Sequence, residues 1–102
     1  MDESKHAEQP MARLHAIVHG RVQGVNFRYY TMMTAQQLGL SGWVANRWDG
    51  TVETVAEGPR DALTEFLAFL HKGSPSAFVQ RVDERWEAAT GEFTRFRVRY
   101  DR

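Results

Sequence analysis

Two glycines four positions apart, Gly20 and Gly24, bracket the start of the segment Gly20-Arg21-Val22-Gln23-Gly24-Val25-Asn26-Phe27-Arg28. Glycines at this spacing let a loop fold tightly and expose its backbone N–H groups. Helical periodicity begins just beyond, so those groups precede a helix N-terminus, where partial positive charge favours an anion. Arg28, in the first turn, adds a permanent cation whose planar fork matches a phosphate edge. A cation in a first helical turn is slightly unfavourable unless something negative lies close by. A bound phosphate or other oxyanion resolves that conflict. The same glycines also suit a purely structural tight turn, and the residues alone leave both readings open.

Other known phosphate loops fit worse. Gly-x-x-x-x-Gly-Lys-Ser/Thr is absent, and Gly20 and Gly24 do not match the dinucleotide-binding fingerprint. With no cysteine in the chain, disulfides, thiolate metal sites and a cysteine nucleophile are excluded together. His6, His15, His19 and His71 show no metal-ligand spacing, so neither a metal nor another cofactor is expected. His19 adjoins the glycine loop, where a half-exposed histidine at a strand end is the simpler account. Asn46 taken alone reads as a turn or cap residue, and Asp49, followed by Gly50, as a turn residue.

These residues must be positioned by a small fold. At 102 residues, 42% hydrophobic and 25% charged, the chain is sized for one ordinary globular domain. A net charge of zero gives no pull towards nucleic acid or an anionic membrane, and no apolar run is long enough to span one. The N-terminus lacks a secretory pattern. A cytoplasmic monomer is the expectation. Residues 1–11 read as a disordered leader and residues 12–102 as the domain.

Leu14, Ala16 and Val18 alternate with Arg13, His15 and Ile17, the pattern of a strand with one buried face. Phe27, Tyr30, Thr31, Thr34, Ala35 and Leu38 recur at helical spacing, with Asn26 as N-cap and Gly39 as stop. Residues 42–47 and 51–57 read as strands joined at Asp49-Gly50. Pro59 opens a second helix at its first position, Leu63, Phe66, Leu67 and Leu70 form its apolar stripe, and Gly73-Ser74-Pro75 ends it. A fourth strand passes through Val82 and Trp86, with Glu84 breaking the pattern. In the last, Phe96, Val98 and Tyr100 alternate with Arg95, Arg97 and Arg99, whose charges protect an exposed edge. The order predicts an α+β, ferredoxin-like βαββαβ plait plus a C-terminal strand: an antiparallel sheet with two helices on one face.

The segment from Gly20 to Arg28 closely resembles the signature of the acylphosphatase family. A second signature of that family is matched by Gly42-Trp43-Val44-Ala45-Asn46 followed by Asp49-Gly50-Thr51-Val52, and Gly73-Ser74-Pro75 and the ending Phe96 to Tyr100 are similar too. The resemblance runs from about Ala12 to Tyr100. It implies hydrolysis of acyl phosphates without metal: backbone N–H groups of Val22, Gln23, Gly24, Val25, Asn26, Phe27 and Arg28 cradle the phosphoryl oxygens, Arg28 binds the same group, and Asn46 orients the attacking water. A carboxylate leaves unaided, since its conjugate acid has a pKa of about 4. The resemblance also implies that a substrate phosphate oxygen accepts the proton of the water. Trp48 is an unusual bulky residue in the turn beside the expected site.

Two other readings share these features. A non-catalytic acyl- or carbamoyl-phosphate binding module, like acylphosphatase-like domains joined to larger maturation enzymes, needs the same cradle; the chain's end at Arg102 sets the expectation of a free-standing protein. An RNA-binding plait needs aromatics on its central strands, and Thr51-Val52-Glu53-Thr54-Val55 has none. Acetyl phosphate, carbamoyl phosphate, 1,3-bisphosphoglycerate and phosphorylated aspartate all carry the scissile group, and the sequence does not choose among them.

Overall fold

The structure is a computed structural model describing residues 10–100. Its elements are β1 (Met11–Arg21), α1 (Phe27–Gln37), β2 (Ser41–Asn46), β3 (Val52–Pro59), α2 (Arg60–Lys72), β4 (Phe78–Ala88) and β5 (Phe96–Arg99). The strands form one sheet in the order β4-β1-β3-β2-β5. Ala12, Leu14, Ala16 and Val18 of β1 face the helices and are buried, as the alternation predicts. The paired residues Val52, Thr54 and Ala56 of β3 share that face. Phe27 and Ala35 of α1 and Leu63, Phe66 and Leu70 of α2 close the core over it. Phe66 meets Phe96 nearly edge-on at 5.8 Å, so truncating Phe66 to alanine would cost about 3–5 kcal/mol. Among the described residues no helix is long and apolar enough to cross a membrane.

Several sequence expectations are corrected. β1 begins at Met11, paired with Pro59, inside the expected leader; residues 1–9 of that leader, including His6, lie outside the described residues. Pro59 ends β3 in an extended conformation and serves as the N-cap of α2, which starts one residue later than predicted. Glu84 does face the helix side of β4, opposite Ala16, but β4 is an edge strand and the carboxylate reaches solvent while accepting a hydrogen bond from Trp86 Nε1 at 3.1 Å. The sheet is not wholly antiparallel, because β5 pairs with β2 in parallel. The cause is topological. β4 finishes at the end of the sheet where β2 begins, and residues 89–95 cross along that end, so β5 must run in the direction of β2.

Candidate active site

The loop between β1 and α1 is shaped by conformations that ordinary residues avoid. Gly24 has φ +74° and Asn26 φ +62°, and asparagine is among the few non-glycine residues that tolerate the left-handed region. Gly20 stands where β4 crosses closely: a Cβ there would collide with the Phe78 carbonyl. Buried anchors fix the loop at both ends, Val22 and Phe27, the latter packed 6.0 Å from the Phe69 ring. Two polar struts brace the middle. Gln23 Nε2 donates to the carbonyls of Arg47 and Thr51 at 2.6 and 2.9 Å, and Ser74 Oγ donates to the Val25 carbonyl at 2.7 Å. The loop is thus tied to the β2–β3 turn and to the end of α2.

Asn26 occupies the N-cap position, but its side chain caps nothing, and the first turn holds no acidic residue. The first intrahelical bond runs from Tyr30 N–H to the Asn26 carbonyl, so Phe27, Arg28 and Tyr29 keep N–H groups without helical partners. These groups and Arg28 make a concentration of positive character that no side chain of the turn offsets. The Arg28 guanidinium carbon lies 5.0 Å from the centre of the Tyr100 ring, a cation–π contact that restrains the long side chain without neutralising it.

Asn46 ends β2 opposite Val52, on the helix-covered side. Its Oδ1 is buried and accepts no hydrogen bond from the protein, a costly state for a polar atom away from any functional site. The turn after it is held by Asp49, whose Oδ1 accepts from Thr51 N–H at 3.0 Å and Thr51 Oγ1 at 2.6 Å. Those bonds hold the Asp49 carboxyl below the usual carboxylate range. Asp49 is therefore the turn residue its glycine neighbour predicts.

A cleft of about 370 Å³ opens between α1 and the ends of β2 and β5. Of the residues expected at the site, Val22, Gly24, Asn26, Phe27, Arg28 and Asn46 line it. Gln23 and Val25 do not; they brace the loop from behind. Tyr29, Met32, Val98 and Tyr100 also line it and were missed. Met32 lies one helical turn beyond Arg28, a signal the sequence contained, whereas Val98 and Tyr100 could be found only by knowing where β5 docks. Trp48 is 94% exposed and lies outside the cleft. His19 bonds Asp83 at 2.9 Å and is likewise outside it. Among the described residues, no group of three or more His, Asp or Glu side chains is placed to hold a metal ion.

The acylphosphatase family profile matches residues 14–98, most of the described chain and both segments that build the cleft. The chain belongs to the acylphosphatase family. It is 50% identical to an acylphosphatase from Syntrophotalea carbinolica over 86% of this chain and 96% of that one. The solved acylphosphatase from Bacillus subtilis superposes with a TM-score of 0.85 at 42% identity, covering 87% of this chain and 99% of that one. A HypF structure from T. kodakarensis also matches, with TM-score 0.74 and 30% identity over 86% of this chain, but only 12% of that chain is involved. The match to the first two acylphosphatases therefore spans nearly their whole length, and the match to HypF only a small part of a much larger protein.

Proposed function

We propose that this chain hydrolyses acyl phosphates at the cleft between α1 and β2, releasing a carboxylate and inorganic phosphate. The observation that carries the reading is convergence: uncompensated N–H groups, one arginine and a buried, unsatisfied asparagine oxygen meet in a single cleft. The N–H groups of the 22–28 loop and first helical turn bind the phosphoryl oxygens. Arg28 holds the same group and stabilises charge on it in the transition state. Asn46 positions a water molecule: Oδ1 accepts a hydrogen bond from one of its O–H groups, and the side-chain NH2 donates to its oxygen, leaving a lone pair for in-line attack on phosphorus. The bond from phosphorus to the acyl oxygen breaks, and its electron pair leaves with the carboxylate. The water's proton ends on a phosphate oxygen. No phosphorylated enzyme forms, and this scheme assigns no role to a metal or cofactor. The protein acts as a cytoplasmic monomer in this reading.

The test is hydrolysis of benzoyl phosphate with a chelator present, for the wild type, Arg28→Ala and Asn46→Ala, with circular dichroism to verify folding. Turnover by the wild type and near-complete loss in both folded variants is expected. Turnover abolished by the chelator, or kept in either variant, would overturn the assignment of roles. A folded wild type that binds phosphate without hydrolysis would be a binding module instead.

A further inference from the structure

The end of α2 holds the β1–α1 loop from behind. Gly73 closes that helix at φ +79°, and a Cβ there would come within 2.9 Å of the Phe27 ring, so the chain passes hard against the base of the loop. The next residue, Ser74, is only 3% exposed, and its carbonyl accepts from Ala77 N–H at 2.9 Å, which sets its backbone in a turn. Its hydroxyl donates to the Val25 carbonyl at 2.7 Å, 49 residues away along the chain. Ser74 is not among the residues lining the cleft; it reaches the loop from the opposite side.

A trans peptide group is planar, so its C=O and N–H point in opposite directions. Drawing the Val25 carbonyl towards Ser74 therefore turns the Asn26 N–H the other way, towards the cleft that Gly24 and Asn26 line. That N–H donates to no backbone carbonyl among the described residues. The orientation has a competitor. Asn26 sits at φ +62°, a region that is costly for a residue with a side chain. Turning over the 25–26 peptide, the change that separates a type II from a type I turn, would bring φ of Asn26 to a negative value that any residue adopts. It would also aim the Val25 carbonyl, the negative end of the peptide dipole, at the anion site. One hydrogen bond is of the same order as the cost of a left-handed asparagine, so the Ser74 hydroxyl decides between the two orientations.

We propose that Ser74 is a positioning residue for the reaction: its hydrogen bond to the Val25 carbonyl keeps the Asn26 N–H aimed at the phosphoryl oxygens. The inference rests on the phosphate-binding reading of the same cleft. Ser74 touches no substrate and acts through the 25–26 peptide alone.

The test pairs benzoyl phosphate kinetics with an amide NMR titration by inorganic phosphate, for the wild type, Ser74→Ala and Ser74→Thr, well below their melting temperatures. Loss of an oxyanion donor outright costs about a hundredfold or more, and a donor that is turned away in most molecules costs less. Ser74→Ala should accordingly lower kcat/KM by about tenfold to thirtyfold, with the larger part in kcat, because the donor's contact strengthens as charge develops. Ser74→Thr keeps the hydroxyl and should stay within about threefold of the wild type. In the titration, Ser74→Ala should lose the phosphate-induced shift of the Asn26 amide, while the Arg28 amide and the Asn46 side-chain NH2 still respond. A general loosening of the fold would not single out that amide. Ser74→Cys, similar in size with a weaker donor, should fall between alanine and wild type and serves in place of the alanine variant where that variant does not fold. Unchanged kcat/KM with an unchanged Asn26 shift in Ser74→Ala would overturn the proposal. So would loss of every loop shift together, or a threonine variant as impaired as alanine. A wild type that neither hydrolyses benzoyl phosphate nor responds to phosphate would instead overturn the reading of the cleft beneath it.

Discussion

The two ends of the sheet use the same chemistry to opposite effect. At the end remote from the cleft, Glu57 is buried, and its carboxylate is surrounded. Thr90 N–H, Gly91 N–H and Thr90 Oγ1 donate to it at 2.9, 3.0 and 3.0 Å, and Arg13 Nη1 at 3.1 Å. Backbone N–H groups, a glycine turn with φ +75° at Gly91 and one arginine thus enclose an anion that the chain itself supplies. At the cleft end, a glycine turn, helix N–H groups and Arg28 are gathered in the same way, but the chain supplies no carboxylate. A saturated cradle fastens the 89–95 crossover to β3; an unsaturated one, in the proposed reading, receives an external anion. What separates structure from function here is the source of the negative charge.

Removing one charge from each end should therefore break different things. Arg28→Ala should lower kcat/KM by roughly a hundredfold to a thousandfold, about 3–4 kcal/mol of transition-state stabilisation, with thermal stability nearly unchanged. Arg28→Lys should rescue little of it, since an ammonium lacks the bidentate fork. Steady-state kinetics beside a melting curve separates the two quantities.

At the far end the expected pattern inverts. Glu57→Gln should cost about 2 kcal/mol of stability by weakening charge-assisted hydrogen bonds, while kcat stays near the wild-type value. Urea unfolding with benzoyl phosphate assays on the same preparations would show whether the cradles are independent. A comparable loss of kcat would mean that the crossover and the cleft are coupled through β5.

The same carboxylate makes a pH signature. Burial pushes the Glu57 carboxyl up, but the Thr90 and Gly91 N–H groups, the Thr90 hydroxyl and Arg13 outweigh burial and leave it below its ordinary value of 4.5. A carboxylate whose pKa is lower folded than unfolded contributes stability above the ordinary value and loses it as pH falls through the folded value. Wild-type Tm should accordingly drop below about pH 4.5, and Glu57→Gln should flatten that limb. An identical acid limb in both proteins would place the titrating group elsewhere.

The smallest effect is expected at Gly24, which has φ +74° and open space around its Cα. Gly24→Ala should cost about 1 kcal/mol from backbone strain alone, with a loss in kcat/KM where the loop relaxes away from its N–H-presenting shape. If stability fell and KM did not change, the loop's conformation would matter to the fold and not to the anion.

The two ends also differ in how far the sequence reveals them. The cleft's polar side was legible because its parts are local: nine consecutive residues supply the loop and Arg28, and Asn46 stands beside its own Asp49-Gly50 turn. The Glu57 cradle was not, because its backbone donors lie 33 and 34 residues further along and converge only once β4 has paired with β1. Val98 was read correctly as a strand residue, whereas Tyr100 lies just past the end of β5, and the place of both at the cleft depends on β5 crossing to the far edge. The Glu84 irregularity has a similar origin, since an edge strand tolerates a carboxylate on its inner face. Local chemistry was written in order along the chain; juxtaposition was not.

The most direct test of the difference between the ends is a titration of the protein with inorganic phosphate, followed residue by residue in amide NMR spectra. The account predicts saturable shifts at Gly24 through Tyr29 and at the Asn46 side-chain NH2, none at Thr90 or Gly91, and loss of the shifts in Arg28→Ala. Shifts that are absent from the loop, or that survive unchanged in Arg28→Ala, would contradict the claim that this end of the sheet is an open anion cradle.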